Sequence, residues 1–354
     1  MTARNRIEDA LQAELDLLPR PLLVLSTAVG RGMFSIGAAL VERAAGRVEH
    51  RPIEDFLPSA GLREDVERYR AISSRFPVLL NIAYRFPPIY QRKLVRERAL
   101  RSTDLGRLES FLAEGGFRAV LAVSHRAAFW AGLAKERAGL DLALVGLSGE
   151  FGSSLGWRYV PWSAIQGFLS PVPRAEIRFP LPATVAFHEV ALPARQEYMR
   201  LAATRGDPRA VLVVCGYWGQ GRIDRVLAEL RSARPDLELH AVCGENEALR
   251  ERIAAAGDAR VHAYGVVPSL APLLERCGSV ISKPGIATIL EAHAARRALF
   301  LMRGMPVAED NNLRYALAHL GAQRYSPRRF LAWLEEGSQR DGKPEVAPWP
   351  ASAR

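Results

Sequence analysis

The sequence predicts an α/β protein made of two doubly wound parallel sheets. The chain has 354 residues, about twice the usual length of a single domain, so two domains are expected. Continuous runs of Val, Leu and Ala alternate with helical patterns along the chain. Such runs are typical of strands covered on both faces, and their alternation with helices is typical of doubly wound units. The composition, 49% hydrophobic and 24% charged, excludes a chain that is disordered throughout.

The first half is predicted to begin with an amphipathic helix over residues 5–18. A glycine-containing turn leads from the first strand into an alanine-rich helix that ends at Arg43. Residues 62–115 are expected to be mostly helical, with interruptions at Pro77 and Pro87-Pro88. The strands of this half are predicted over residues 22–27, 47–53, 117–124 and 140–147.

The second half repeats this alternation more clearly. Strands are predicted over residues 210–216, 238–244, 260–266, 279–283 and 298–302, and helices over 221–233, 245–256, 269–277, 286–296 and 310–320. The predicted divisions are a helical extension over 1–20, a first domain over 21–195, a second domain over 205–337 and a mobile tail over 338–354. Two such domains are expected to face each other across a cleft that holds the ligand.

A turn with Gly30 and Gly32 follows the first predicted strand and opens a helix. Free backbone N–H groups at such a turn can bind an anion or a substrate oxygen. Ser35 stands where the dinucleotide-binding fingerprint has its third glycine, which disfavours a dehydrogenase. A tight strand–helix turn without a ligand is the alternative interpretation.

A stronger candidate site lies at Lys283-Pro284-Gly285, where a buried strand ends and a helix begins. Because Gly285 has no Cβ, a diphosphate can approach the backbone amides, and the helix dipole favours its negative charge. Glu291 follows about one and a half turns later and offers two acceptor oxygens to the hydroxyls of a ribose. A helix cap with a solvated glutamate is the alternative.

A third candidate follows the next apolar strand, in residues 303–312. Glu309, Asp310 and Asn311 open a helix there, and carboxylate and amide groups suit the recognition of sugar hydroxyls. The alternative is a run of helix-capping residues.

Of the net charge of +10, +5 falls in residues 85–101, which is nearly all of the excess in the first half of the chain. Aromatic residues are interleaved with the basic ones in this segment, which predicts attraction to an anionic membrane surface. A solvated helix is the alternative, and nucleic acid is disfavoured because no recognised binding module accompanies the charge. The basic residues are Arg85, Arg92, Lys93, Arg96, Arg98 and Arg101, against Glu97 alone.

The cysteines and the N-terminal segment favour a cytoplasmic protein. Cys215, Cys243 and Cys277 lie in apolar runs without metal-ligand spacing, as expected for core thiols in a reducing compartment. The apolar run at 21–29 is too short to span a membrane, and the first residues lack the layout of a signal peptide. Ordinary structural roles are expected for His50, His188, His240, His262, His293 and His319.

Taken together, these motifs resemble the nucleotide-sugar glycosyltransferases that include monogalactosyldiacylglycerol synthases and processive diacylglycerol glucosyltransferases. The peptidoglycan N-acetylglucosaminyltransferase is a more distant match. The resemblance runs over about 22–335 and is sharpest over 259–321, where the family's Lys-Pro-Gly-Gly-x-Thr-x-x-Glu-Ala pattern recurs. It implies the GT-B fold, with two Rossmann-like domains, and a UDP-sugar co-substrate used without a catalytic metal or other cofactor. The chain also lacks the Asp-x-Asp motif of metal-dependent enzymes.

The resemblance assigns a role to each matching position. Gly285, Lys283 and Thr288 belong to the diphosphate turn, and Glu291 would bind the uridine ribose. Glu309, Asp310 and Asn311 would lie near the donor sugar. The family's glycine loops match Gly30 and Gly32 in the first domain and Gly216 and Gly219 in the second, and Val266 occupies the position of the aromatic residue against uracil.

The departures from the family concern mainly the acceptor half. Met33 and Leu155 replace two family histidines, Ile286 replaces the second glycine after Lys-Pro, and Glu150 replaces an aspartate. A transfer with inversion needs one general base near the attacking oxygen. Glu150 keeps a carboxylate at the matching position and is favoured over His125, which also follows a strand.

The leading hypothesis is an inverting, metal-independent transferase of a hexose or N-acetylhexosamine. Its acceptor would be a lipid-like or small-molecule hydroxyl, and the protein would be cytoplasmic, with peripheral attachment to the inner face of the membrane. The lost histidines favour, as an alternative, a catalytically silent nucleotide-sugar binder or partner subunit. A UDP-sugar epimerase on the same architecture is the third hypothesis.

Overall fold

The computed structural model describes residues 3–57, 104–152, 154–304 and 308–339. These residues form two compact units, each with its own six-stranded sheet. Among the described residues, the first unit is built mainly from those up to Pro193, and the second mainly from Ala194–Gly304 and from Asn312 to Gln339. The two Rossmann-like units that the sequence predicts are therefore present.

The sheet of the first unit is entirely parallel, with the strand order β2-β1-β3-β4-β5-β6. The strands predicted over 22–27, 47–53, 117–124 and 140–147 are all present. The last two strands were not predicted, because they are four residues long and β6, at the edge, has no buried apolar run. The strands are β1 (Leu22–Ser26), β2 (Val48–Pro52), β3 (Ala119–Ala122), β4 (Ala143–Leu147), β5 (Gly167–Ser170) and β6 (Ala186–Glu189).

The helices of the first unit cover both faces of this sheet, so every residue of β1 and β3 is buried. The first helix packs on the unit through Leu11 and Leu15, which are both buried. The α-helices are α1 (Ala3–Leu17), α2 (Gly32–Arg43), α3 (Gly106–Glu114) and α4 (His125–Ala138). Single 3-10 turns lie at Ile53–Asp55, Leu155–Tyr159, Trp162–Ala164 and Arg174–Glu176.

The second sheet is also parallel, with the order β12-β11-β10-β7-β8-β9. Its strands are β7 (Asp207–Val214), β8 (Glu238–Val242), β9 (Val261–Tyr264), β10 (Cys277–Ser282), β11 (Ala298–Leu301) and β12 (Gln323–Arg324). The predicted strands of this half are confirmed to within three residues at each end. The two-residue β12 was not predicted.

Seven α-helices are described from residue 196 onward, and the first turn of the sixth, up to Asn311, belongs to the first unit. They are α5 (Gln196–Arg200), α6 (Ile223–Ala233), α7 (Glu247–Ala255), α8 (Ala271–Arg276), α9 (Ile286–Ala294), α10 (Ala308–His319) and α11 (Pro327–Gln339). The last of these continues to Gln339, two residues beyond the predicted boundary at 337. The rest of the tail predicted over 338–354 lies outside the described residues. None of the helices in the described residues is long and apolar enough to cross a bilayer.

In each sheet, strands are added first on one side of the initial strand and later on its other side, so the sheet has one switch point. In the first sheet this switch lies between β1 and β3, and in the second it lies between β7 and β10. Ligands of open α/β sheets bind beyond the carboxyl ends of the strands at such a point. The segments that follow these four strands carry most of the motifs singled out in the sequence.

Candidate functional site

The Lys283-Pro284-Gly285 turn follows β10, at the switch point of the second sheet. The amide of Gly285 and the hydroxyl of Ser282 both donate to the carbonyl oxygen of Lys283, each at 2.8 Å. Asn312, which is 1% exposed, donates from Nδ2 to the carbonyl oxygen of Pro284 at 3.2 Å. Hydrogen bonds from two sides therefore fix the path of the turn.

Helix α9 begins directly after this turn with no side-chain cap at Gly285. The amides of the first helical turn have no partner within the helix, and the dipole gives this end a partial positive charge. A Cβ built on Gly285 would have no atom of the described residues within 4 Å, apart from those of its chain neighbours. The helix therefore presents N–H groups beside open space, which is the arrangement that binds phosphate in other proteins.

Lys283 connects this turn to the glycine loop after β7. A Cβ built on Gly216 would lie 2.8 Å from Cε and 3.5 Å from Nζ of Lys283, so the lysine side chain extends over Gly216. Two motifs that are separate in the sequence thus meet at the switch point. The arrangement places a cationic side chain at the switch point of the sheet.

The loops after β7 and β8 pack backbone against backbone. A Cβ on Gly219 would lie 1.9 Å from the carbonyl oxygen of Cys243, and one on Gly244 would lie 2.1 Å from that of Tyr217. Both glycines have φ of 58°, in the left-handed region. Asn246 then donates from Nδ2 to the carbonyl oxygen of Gly219 at 3.3 Å. Glycine at 219 is therefore required for the fold of the loop.

Glu291 lies on α9 and is 7% exposed. Burial and the charge of Glu291 raise the pKa of the Tyr198 hydroxyl, which places the two side chains within electrostatic reach. Arg195 also interacts with Glu291 and donates from Nη2 to the hydroxyl of Tyr198 at 2.7 Å. The candidate ribose carboxylate is thus accompanied by a cation and a phenol that sequence reasoning missed. In the sequence, Arg195 and Tyr198 are a pair of polar residues about a hundred positions before Glu291, and no pattern connects them with it.

The remaining candidates of the second half are placed as follows. Thr288 is buried on α9, and Val266 is 51% exposed just beyond the end of β9. Glu309 and Asp310 lie in the first turn of α10, next to Asn311. Glu309 is buried, whereas the other two are half-buried. Their contacts with a donor sugar stay predictions.

In the first unit, the Gly30 turn has two consecutive residues in the left-handed region, Gly30 at φ 71° and Arg31 at φ 64°. Helix α2 then begins at Gly32. The carboxylate of Glu54 accepts the amide of Ala28 at 2.9 Å and the hydroxyl of Thr27. Glu54, which sequence analysis did not single out, therefore anchors the start of this turn from the end of β2.

His50 has a structural environment, as predicted. Its Nε2 lies 2.8 Å from the hydroxyl of Ser26, and burial lowers the pKa of His50 to about 4. The ring packs on α2, because a Cβ built on Gly37 would lie 2.4 Å from Nε2. His50 is therefore neutral at pH 7 and holds the end of β1 against α2.

Glu150 follows β4 and is half-buried. A Cβ on its neighbour Gly149 would lie 2.2 Å from Sδ of Met33, the residue that replaces a family histidine. Met33 from α2 therefore packs beside the carboxylate candidate. The start of α2 and the loop after β4 therefore lie in contact, with a thioether at the position of the family histidine.

His125 is the first residue of α4, whose first turn is capped by Ser124 through a 3.1 Å bond from the amide of Ala127. The Nδ1 atom of His125 lies 3.3 Å from the hydroxyl of Ser154. A Cβ on Gly156 would lie 2.1 Å from the ring, so the imidazole packs closely on the 3-10 turn Leu155–Tyr159. Neither candidate base is tested by these contacts, and both stay predictions.

The basic segment lies outside the described residues. This applies to Arg85, Arg92, Lys93, Arg96, Arg98 and Arg101. Their attraction to a membrane stays a prediction.

No protein-family model matches the chain. Among curated proteins, it is similar to the processive diacylglycerol beta-glucosyltransferase of Bacillus cereus (strain 03BB102), with 30% identity over 112 residues. That match covers 31% of this chain and 29% of the relative. The enzyme of the same name from Bacillus mycoides (strain KBAB4) is 29% identical over a match of the same length. The chain thus matches less than a third of the length of these relatives.

Solved structures match over most of the chain. MurG of Acinetobacter baumannii has a TM-score of 0.51 and 10% identity, and the match covers 90% of this chain and 91% of MurG. Arabidopsis thaliana UGT89C1, solved with UDP-L-rhamnose, has a TM-score of 0.50 and 12% identity, with 90% of both chains covered. The chain therefore has the GT-B fold, and the resemblance to processive diacylglycerol glucosyltransferases is confirmed as a partial match.

Proposed function

We propose that this chain is a UDP-sugar-dependent glycosyltransferase that works by inversion and without a catalytic metal. It would move a hexose or N-acetylhexosamine to a hydroxyl of a lipid-like or small-molecule acceptor. The observation that carries the proposal is the uncapped N-terminus of α9 at the β7/β10 switch point. There Lys283 extends over Gly216, and open space adjoins Gly285.

The second unit would bind the donor. Its diphosphate would accept hydrogen bonds from the first amides of α9, and Lys283 would balance part of its charge. Glu291 would hold the ribose hydroxyls, and Val266 would lie against uracil. Glu309, Asp310 and Asn311 would contact the donor sugar. The UDP-L-rhamnose in the structurally similar Arabidopsis protein supports this class of donor.

Inversion determines from which face the acceptor attacks and which bond breaks. The acceptor oxygen attacks the anomeric carbon from the face opposite UDP, the bond from that carbon to the phosphate oxygen breaks, and UDP leaves with the electron pair. The base takes the proton of the attacking hydroxyl. Glu150 is the favoured base, with His125 as the second candidate. The negative charge that develops on UDP would be stabilised by the N-terminus of α9 and by Lys283.

Replacing Gly285 with alanine tests the diphosphate site. The added methyl group is expected to weaken UDP binding about tenfold, because it occupies the space where the phosphate must approach the amides. The fold should be unaffected, since φ at Gly285 is −71° and, apart from its chain neighbours, no atom of the described residues lies within 4 Å of the methyl position. Isothermal titration with UDP measures the effect.

Gly167→Ala is the matched control, because a Cβ there makes only ordinary contacts, the nearest at 3.5 Å, in the other unit. Its UDP affinity should equal that of the wild type. An unchanged affinity in Gly285→Ala, with both proteins folded by circular dichroism, would contradict the diphosphate site.

A lipid-like acceptor is supported by the names of the curated relatives, which act on diacylglycerol. Acceptors of that kind are in membranes, so we propose that the protein is cytoplasmic and attaches peripherally to the inner face. Each cation near an anionic bilayer adds about 1 kcal/mol of attraction. The six basic residues of 85–101 would supply that attraction.

Liposome sedimentation tests this attachment. Binding is expected to require anionic lipid, to weaken as salt is added, and to fall strongly in the double variant Arg92→Glu and Lys93→Glu. The double variant Arg328→Glu and Arg329→Glu makes the same change in net charge at two exposed positions of α11. It should bind like the wild type. Equal sedimentation with neutral liposomes would remove the electrostatic explanation.

The alternative of a catalytically silent nucleotide-sugar binder or partner subunit keeps one supporting observation. The thioether of Met33, which packs against Gly149 next to Glu150, cannot accept and donate a proton as the family histidine can. UDP binding without product from a panel of UDP-sugars and lipid extracts, analysed by mass spectrometry, would favour it. An epimerase, the third alternative, would convert the UDP-sugar without releasing UDP.

A further inference from the structure

A carboxylate and two imidazoles converge on one face of the second sheet. Glu238 and His240 are two residues apart on β8, so their side chains lie on the same face of the sheet. His262 on β9 is the strand partner of His240. One ligand atom from each of the three residues lies within 4.8 Å of the other two. We refer to Glu238, His240 and His262 as the β8–β9 cluster.

The two separations that involve Glu238 fit a tetrahedral cation. The Oε1 atom of Glu238 lies 3.4 Å from Nε2 of His240 and 3.2 Å from Nε2 of His262. Zinc bound at about 2.0–2.1 Å by nitrogen and oxygen ligands in tetrahedral geometry places neighbouring ligand atoms about 3.3 Å apart. The two measured separations lie on either side of that value.

His240 carries a second indication that a ligand belongs here. It is 1% exposed, and its buried Nε2 has the Oε1 atom of Glu238 at 3.4 Å but makes no well-aligned hydrogen bond among the described residues. Its other nitrogen, Nδ1, lies 3.0 Å from the hydroxyl of Tyr264. A bond from Nδ1–H to an oxygen is the usual way in which proteins orient a metal-binding histidine and leave the Nε2 lone pair for the metal.

The surrounding charges are compatible with a cation. Burial, followed by the nearby His262, lowers the pKa of His240. Arg276 is the nearby cation that also acts on His240, and Glu238 opposes it. The side chains of Glu238 and His262 are 46% and 40% exposed, so water can reach a fourth coordination position.

We propose that the β8–β9 cluster binds a divalent transition-metal cation such as Zn²⁺. Imidazole and carboxylate ligands suit this class of ion. The cation would tie the edge strand β9 to β8, in addition to the ladder hydrogen bonds and the side-chain contact between His240 and Tyr264. His240 is four residues before Gly244, about 13 Å along the strand, so this site is separate from the diphosphate site. The proposal does not depend on the proposed function.

Isothermal titration with Zn²⁺, after treatment of the purified protein with a chelator and dialysis, tests the site. One equivalent should bind to the wild type, and His262→Ala and Glu238→Gln should each weaken binding about tenfold or more. Both residues are partly exposed, so these variants should keep the fold, which circular dichroism checks. His188→Ala is the matched control, because it removes a histidine paired with Glu14 at 2.8 Å in the other unit.

Thermal unfolding gives an independent readout. Zn²⁺ should raise the unfolding midpoint of the wild type and of His188→Ala, but not that of His262→Ala, because a ligand stabilises only the state that binds it. Binding should also weaken as the pH falls and the ligands take up protons. Absence of saturable binding to the wild type would overturn the proposal, as would equal affinity in wild type, His262→Ala and Glu238→Gln.

Discussion

Replacing Glu150 with glutamine is expected to lower the rate of sugar transfer by about 10²–10⁴-fold, the range found when a general base is removed. Glutamine keeps the shape of the side chain but cannot accept the proton of the acceptor hydroxyl. UDP affinity should be unchanged, because the donor contacts are assigned to residues after β7 and β10. Steady-state turnover with saturating UDP-sugar, together with UDP titration, measures both quantities.

His125→Gln is the comparison that decides between the two candidate bases. Its ring packs on the 3-10 turn after Ser154, so glutamine is expected to change the rate much less than Glu150→Gln does. A large loss in His125→Gln with near-normal turnover in Glu150→Gln would reverse the assignment. If wild type binds UDP but transfers no sugar, the silent alternative is favoured over both.

Replacing Glu291 with glutamine is expected to weaken UDP binding about 100-fold. Two hydrogen bonds from ribose hydroxyls to a carboxylate each contribute about 1.5–3 kcal/mol, and an amide replaces only part of that. The fold should tolerate the change, since Arg195 keeps Tyr198 at 2.7 Å and Glu197 at 2.9 Å as partners. Isothermal titration with UDP measures the loss.

The same variant can show whether the contact is with the ribose. Wild type should bind 2′,3′-dideoxy-UDP about as weakly as Glu291→Gln binds UDP. For the variant, the affinity for the dideoxy ligand should be only slightly lower than its affinity for UDP. Such a cycle isolates one pairwise interaction. An equal loss for both ligands on mutation would place Glu291 away from the ribose. Gly285→Ala, in contrast, should weaken both ligands alike, because it acts on the phosphates.

Much of the fold could be predicted because its signals are local. The buried runs at β1, β3, β7 and β10 are continuous, since both faces of these strands are covered. The short strands β5 and β6 lacked such a signal. At β6 no residue is buried, so its pairing with β5 comes from the sheet rather than from its own pattern.

In the candidate site too, some residues could be predicted from local sequence signals and others could not. Lys283, Gly285 and Glu291 lie within one strand–turn–helix unit, and their spacing along the helix is visible in the sequence. Arg195 and Tyr198 were missed because they reach Glu291 only through the packing of α5 against α9. The β8–β9 cluster was missed too, and its histidines were assigned ordinary structural roles. His240 and His262 are 22 positions apart and meet only through strand register.

By itself, the sequence determined the strand–helix alternation, the two-unit architecture and the Lys-Pro-Gly turn, because propensity, burial pattern and turn chemistry act over a few neighbouring residues. Only the tertiary structure decided that β10 pairs with β7. This pairing brings Lys283 over Gly216, so the Lys-Pro-Gly turn and the glycine loop after β7 meet at the switch point of the sheet. Strand pairing depends on the entropy of closing long loops and on packing across the sheet, and neither is written in any single segment.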